Sequence, residues 1–270
     1  MTAGVTTNAS RHQGKCILVA SCLCVLVVNL FPTCPQAAER VVSLNLCTDQ
    51  MLVLLAPEKI AALTPLARDP ALSFVAQQAA QLPVVRASAE AVLRLHPDLI
   101  LAAPYGAQTT LALLAQEHVP LLRVSLPQDF AGIRRMTRVL ANALGVPQRG
   151  EALLAAMDAR LAALPRTGQA RRALVWEPRG FTAGPGTLMD DVLRTAGFAN
   201  ASDGSVVTVE TLVHRPPDLL VVPTEPAWPS LATTLLDHPA LAGLPRRAIP
   251  PALTLCAGPF TAEAAAMLAR

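Results

Sequence analysis

The chain has 270 residues, 52% of them apolar and 15% charged, enough for two domains with separate cores, so disorder and fibre are excluded. Its 22 Lys and Arg oppose 19 Asp and Glu for a formal net charge of +3, and aromatics make up 3%. No basic run exceeds two residues, so neither a phosphate-tracking stripe nor a platform for stacking bases is present, and nucleic acid is not expected as a partner.

Residues 1–15 carry Arg11 and Lys15 and no acid, and residues 16–31 are almost wholly apolar before Pro32, Pro35 and the pair Ala37-Ala38. That order is the order of a secretory signal peptide, here 1–38. A membrane-crossing helix needs roughly 20 apolar residues, and this run is shorter. Val19-Ala20-Ser21-Cys22 resembles a lipoprotein cleavage box, but the apolar run continues past it, so export with cleavage near Ala38 is favoured over a membrane lipoprotein. Cleavage leaves a nearly neutral chain with two cysteines, Cys47 and Cys256. Two thiols in an oxidising compartment are more often joined than free.

From residue 40 short apolar runs alternate with helical stretches. A buried strand is predicted at 40–46, and Thr48-Asp49 are expected to cap a helix ending at Pro57. Strand 60–63, a helix from Asp69-Pro70 to about 80, a short strand at Val84-Val85 and a Ser88-capped helix stopping at Pro97 follow. Strand 99–103, helix 106–118, strand 121–125 and an amphipathic helix over 130–144 complete a first α/β lobe, 40–146. Gly145-Val146-Pro147 breaks the pattern before one long helix within 147–166. A second lobe, 170–270, has strands at 173–176 and 219–222 and helices at 187–196, 230–236 and 260–269, with Pro-bearing loops at 223–229 and 245–251. Strand and helix alternating at this spacing predict a largely parallel sheet in each lobe, flanked by helices, with the lobes joined by the long helix.

An internal repeat supports the division. Ser88-Ala-Glu90 through Pro97-Asp98-Leu99 aligns without a gap with Thr208-Val-Glu210 through Pro217-Asp218-Leu219, at an offset of 120 residues. The capping hydroxyl, the Glu, the Pro-Asp-Leu and the apolar strand all recur. Glu90 and Glu210 have two readings: an acid favoured by the helix macrodipole, or one carboxylate per lobe displayed for a two-fold symmetric partner.

The export signal, the two lobes, the connecting helix and the [ST]-x-E-x7-D-L repeat resemble the helical-backbone class of periplasmic substrate-binding proteins. These serve ABC importers for iron-siderophores, haem and cobalamin. Arg40-Val-Val-Ser-Leu-Asn-Leu-Cys47-Thr-Asp49-Gln and Cys256-Ala-Gly258-Pro259-Phe260-Thr-Ala-Glu263 look like a branch with cysteine-bearing loops. The resemblance implies a periplasmic, monomeric, non-enzymatic receptor without an intrinsic cofactor. Its ligand would be a metal chelate or corrinoid containing Fe or Co, held in a cleft between lobes with little hinge bending. It also implies that Glu90 and Glu210 dock on arginines of the dimeric permease in the inner membrane.

In parallel α/β lobes ligands bind beyond the carboxyl ends of strands. The expected ligand contacts are therefore Cys47, Thr48, Asp49, Arg68, Tyr105, Trp176, Arg179, Trp228, Cys256 and Phe260. Tyr105, Trp176 and Trp228 are the scarce large aromatics, suited to a flat macrocycle or aromatic chelate, and Arg68 and Arg179 would meet an anion. Cys47 and Cys256 fall on the cleft side as a disulfide, as separate thiols or as soft metal ligands, in that order of preference. A manganese or zinc receptor is disfavoured because His96, His118, His214 and His238 lie at helix ends or before Pro. An exported hydrolase is the alternative from another class, but it lacks a nucleophile or metalloprotease motif. Gly184-Pro-Gly186-Thr187 resembles an anion-binding turn without the Lys of a phosphate loop.

Overall fold

A computed structural model of the chain describes residues 37–165, 171–224 and 234–270. The segment read as an export signal lies outside them, apart from Ala37 and Ala38. The first half runs β1 (Val41–Ser43), α1 (Leu46–Leu55), β2 (Ile60–Ala62), α2 (Ala76–Ala79), α3 (Ala89–Leu93), β3 (Leu99–Ala102), α4 (Gln108–Gln116), β4 (Leu121–Arg123) and α5 (Phe130–Ala143). Helix α6 (Pro147–Ala162) leads into β5 (Arg171–Val175), α7 (Leu188–Thr195), β6 (Phe198–Asn200), α8 (Val209–His214), β7 (Leu219–Pro223), β8 (Arg246–Ile249) and α9 (Ala262–Ala269). Each half forms one four-stranded sheet, ordered β2-β1-β3-β4 and β6-β5-β7-β8, and all the strand pairs are parallel. The same winding thus occurs twice.

Side chains alternate across each sheet, so every strand feeds two cores. In the first half Val41, Leu99 and Leu101 pack with α1 and α5 residues such as Leu52 and Leu140, while Val42, Ile100 and Ala102 pack with Val92 of α3 and Leu111 of α4. In the second half Leu174, Trp176 and Leu220 pack with Leu212 of α8. Ala173, Val175 and Val221 join the largest core, which takes Leu154 and Met157 from α6, Val192 from α7 and Leu268 from α9, and also Leu46, Phe130 and Ile133 from the first half. One apolar core therefore continues from half to half, with α6 packed on both α5 and α9.

The repeated segment builds the same joint in each sheet. Ser88 and Thr208 cap α3 and α8 by accepting the backbone N–H of Ala91 and Thr211. Asp98 accepts the N–H groups of Glu39 and Arg40 at 2.8 and 2.9 Å, and Asp218 accepts that of Arg172 at 2.6 Å. Each repeat aspartate thereby clamps the entry of the neighbouring central strand, β1 or β5.

Several expectations are corrected. Helix α1 is capped by Asn45, whose side chain accepts the Cys47 N–H, rather than by Thr48-Asp49. The stretch predicted as a helix from Asp69 follows a 3-10 turn (Pro65–Arg68) and consists of an Asp69 side-chain turn onto the Ala71 N–H and the single turn α2. Val84 makes only an isolated bridge to Leu63. Strands β6 and β8 were not predicted, and β8 occupies the expected loop at 245–251. The predicted helix 230–236 falls partly outside the described residues, and Thr234–Asp237 form a 3-10 turn.

Candidate functional site

The carboxyl ends of the two sheets are drawn together by covalent and aromatic contacts. Cys47, four residues beyond β1, is disulfide-bonded to Cys256 beyond β8, with their Cα atoms 5.1 Å apart. Phe74, beyond β2, stacks on Phe260 at 4.8 Å between centroids and 13° between planes. The Phe130 N–H at the start of α5 donates to Asp191 of α7 at 2.8 Å. Gly258 lets this closure form. A Cβ there would lie 2.3 Å from the Phe260 ring, so the Cys-Ala-Gly-Pro-Phe sequence gives the ring a seat that no other residue would leave open.

Residues expected to touch ligand instead build the rim of the first sheet. Because α1 starts before Thr48, both Thr48 and Asp49 fall on its inner face, 3% and 0% exposed. The Thr48 hydroxyl bonds the Ser43 hydroxyl at 2.8 Å and donates to the Asn45 carbonyl at 2.9 Å. Asp49 accepts the Thr64 N–H on both oxygens at 3.2 Å and the Thr64 hydroxyl at 2.5 Å. It thus ties the end of β2 to α1. Burial pushes its pKa up to about 7, against the opposing hydrogen bonds of Ser43 and Thr64. Phe260 is likewise only 5% exposed and serves as packing.

Trp176 is a further correction. It is 0% exposed, and its indole N–H donates to the Val207 carbonyl at 2.9 Å. It follows Leu174 on the α8 side of the sheet, as alternation requires, so it does not face the other lobe. Glu177, next in line, alternates back. With Met189, Pro223, Pro251, Thr254 and Leu255 it lines a recess of about 230 Å³ at the carboxyl ends of β5, β7 and β8. Desolvation by this apolar wall raises the Glu177 pKa. Glu177 is absent from the expected ligand contacts, although the period-2 pattern of β5 already sets it on the face opposite Trp176.

Arg179 does not join that recess. Held at φ 64°, it lines a separate depression with Trp176, Val206, Thr208, Glu210 and His238. Arg68 is exposed and donates to the Leu82 carbonyl. Tyr105 stands 74% exposed beyond β3, at the carboxyl edge of the first sheet. Trp228 lies outside the described residues. Leu66, beyond β2, and Leu255, beyond β8, are also exposed, adding apolar surface to the carboxyl edges of both sheets. The Gly184–Thr187 turn is closed internally: the Gly186 N–H donates to Asp190 at 3.0 Å, and Gly184 abuts the Gly204 backbone, so it is a tight connection.

Glu90 and Glu210 occupy the same place in α3 and α8, in the first turn after the capping hydroxyl, and both are exposed. Glu90 pairs with Arg94 at 2.9 Å. Glu210 is held by its own backbone N–H and the Thr208 hydroxyl, which with His238 and His214 keep its carboxylate below its ordinary pKa. Among the described residues no three His, Cys, Asp or Glu side chains gather as a metal site.

No curated protein matches the sequence. The structure resembles the periplasmic heme-binding protein RhuT from Roseiflexus sp. RS-1 in apo form, with a TM-score of 0.69 and 26% identity over 86% of this chain and 98% of that one. It is similar to a periplasmic heme-binding protein from Pseudomonas aeruginosa at 0.69 and 26% over 86% and 91%. It also shares the fold of the periplasmic heme-binding protein HutB of Vibrio cholerae at 0.72 and 18% over 86% and 97%. The family model described as periplasmic binding protein matches residues 41–246, and the chain, with its two parallel sheets and joining helix, belongs to that family.

Proposed function

We propose that this protein is the receptor of an ABC importer. It captures a bulky metal chelate, an iron-siderophore, haem or corrinoid, between its lobes and presents it to a dimeric permease. The observation that carries this reading is the convergence of the carboxyl edges of both sheets, fastened by Cys47–Cys256 and Phe74–Phe260, beside an apolar recess. Carboxyl edges are where parallel sheets bind ligands. The haem binding named for two neighbours at 26% identity supports the ligand size class. The disulfide, the continuous core and α6 favour a gap of nearly fixed width, and the exposure of Tyr105 beyond β3 supports a ligand contact for it there. In this reading the chain is exported, monomeric and without catalysis.

Glu90 and Glu210 are the docking carboxylates. Their equivalent positions in the first turn of duplicated helices suit a two-fold permease, and exposed charges of this kind steer and orient association. Uptake by cells producing the Glu90→Arg/Glu210→Arg protein should fall at least about tenfold, because each unlike pair becomes a like pair, while chelate affinity of the purified variant stays within about twofold. Uptake at the wild-type rate would remove the docking assignment.

A further inference from the structure

From the second-lobe recess we infer that the ligand is a neutral chelate whose peripheral carboxamide or amide N–H groups face Glu177, and that chelates carrying carboxylates toward this wall are selected against. This inference rests on the receptor reading above and narrows its ligand.

Among the described residues the recess offers one charged side chain, Glu177, with Val175, Met189, Val222, Pro223 and Leu255 around it. The nearest basic residue in sequence, Arg179, lines the depression beside Glu210 instead. Arg246 and Arg247 stand at the amino end of β8, the edge away from the recess, where Arg247 donates to the α9 carbonyls of Met267 and Leu268. Among the described residues the Glu177 carboxylate has no side-chain hydrogen bond; its backbone N–H donates to the Phe181 carbonyl at 2.8 Å and its backbone carbonyl accepts the Gly180 N–H at 3.0 Å. Glu177 is exposed in the free chain, and a bound chelate would strip water from its carboxylate. A desolvated carboxylate needs N–H or O–H donors in return. Amide donors of a neutral ligand supply them through charge-assisted bonds. A ligand carboxylate would add like-charge repulsion with no cation among the described lining residues to offset it.

Titration calorimetry of the mature chain against cyanocobalamin, ferrichrome and haemin tests this, with the Glu177→Gln and Glu177→Lys proteins alongside. Cyanocobalamin and ferrichrome separate the two sources of amide donors, a corrinoid and a hydroxamate, and haemin carries the carboxylates. The wild type should bind one of the neutral pair at least about tenfold tighter than haemin, and Glu177→Gln should weaken that binding by about tenfold, the scale of one charge-assisted hydrogen bond. Glu177→Lys should narrow or reverse the preference. Tighter binding of haemin by the wild type, or neutral-ligand affinity unchanged in Glu177→Gln, would overturn the inference and leave the receptor reading in place. Binding of none of the three by a protein with a wild-type melting curve would overturn the receptor reading itself.

Discussion

Asp49 illustrates how a buried residue at the end of a sheet can govern stability. Its folded pKa of about 7 lies above the ordinary 3.8 because burial disfavours the charged form. The folded chain then keeps a proton that the unfolded chain releases, so the stabilising contribution is complete below about pH 4 and is lost as the pH rises through about 7. Asp49→Asn keeps an acceptor for the Thr64 N–H and donors for nearby hydroxyls. It should flatten the fall in stability between pH 4 and 7 and raise stability at pH 8 by roughly 1–3 kcal/mol. Chemical denaturation across that range measures it, and an unchanged slope would show that Asp49 titrates normally. The sequence placed Asp49 correctly just beyond β1 but misjudged its facing, because a cap assignment three or four residues late rotates every side chain that follows. Trp176 was misread for a different reason: scarcity drew attention to it, whereas strand parity determined where it went.

Among the elements, the duplicated segment was the clearest signal in the sequence, because a hydroxyl cap, a Pro-Asp turn and a buried strand each impose local chemistry that survives translation into structure. The edge strands β6 and β8 were not legible. Phe198–Asn200 is three residues long, and Arg246–Ile249 opens with two arginines between flanking prolines, so neither displays an apolar run. Pairing with β5 and β7 supplies the order that propensity does not. The repeat predicts matched energetics. Asp98→Ala and Asp218→Ala each release a charge-assisted clamp on a central strand and should each cost about 1–2 kcal/mol, with Asp98 the costlier because it holds two N–H groups. The double variant should be additive within about 0.5 kcal/mol, as expected for separate sites with no shared partner. Strong non-additivity in urea melts would mean that the two joints are not independent.

At the scale of the whole molecule, the fold class and the joining helix followed from the alternation of elements, and the convergence of the sheet edges did not. The pairing of Cys47 with Cys256 closes a loop across a sequence separation of 209 residues, which no local pattern encodes; the cysteines expected to remain beyond residue 38, and their shared placement beyond strand ends, pointed to it. A cross-link of that span removes much freedom from the unfolded chain. Together with the core shared through Leu46, Phe130, Leu154 and Met157, it argues for recognition by a preorganised gap rather than by wide opening and closing, which lowers the ordering cost of binding. The most direct test of a preorganised gap is the crystal structure of residues 39–270 with whichever chelate binds in solution. The account predicts density for one chelate between the carboxyl edges of the two sheets, against Glu177 and Leu255 on one side and Tyr105 on the other, with the disulfide intact. Density in the depression beside Glu210, or anywhere outside the gap, would contradict it.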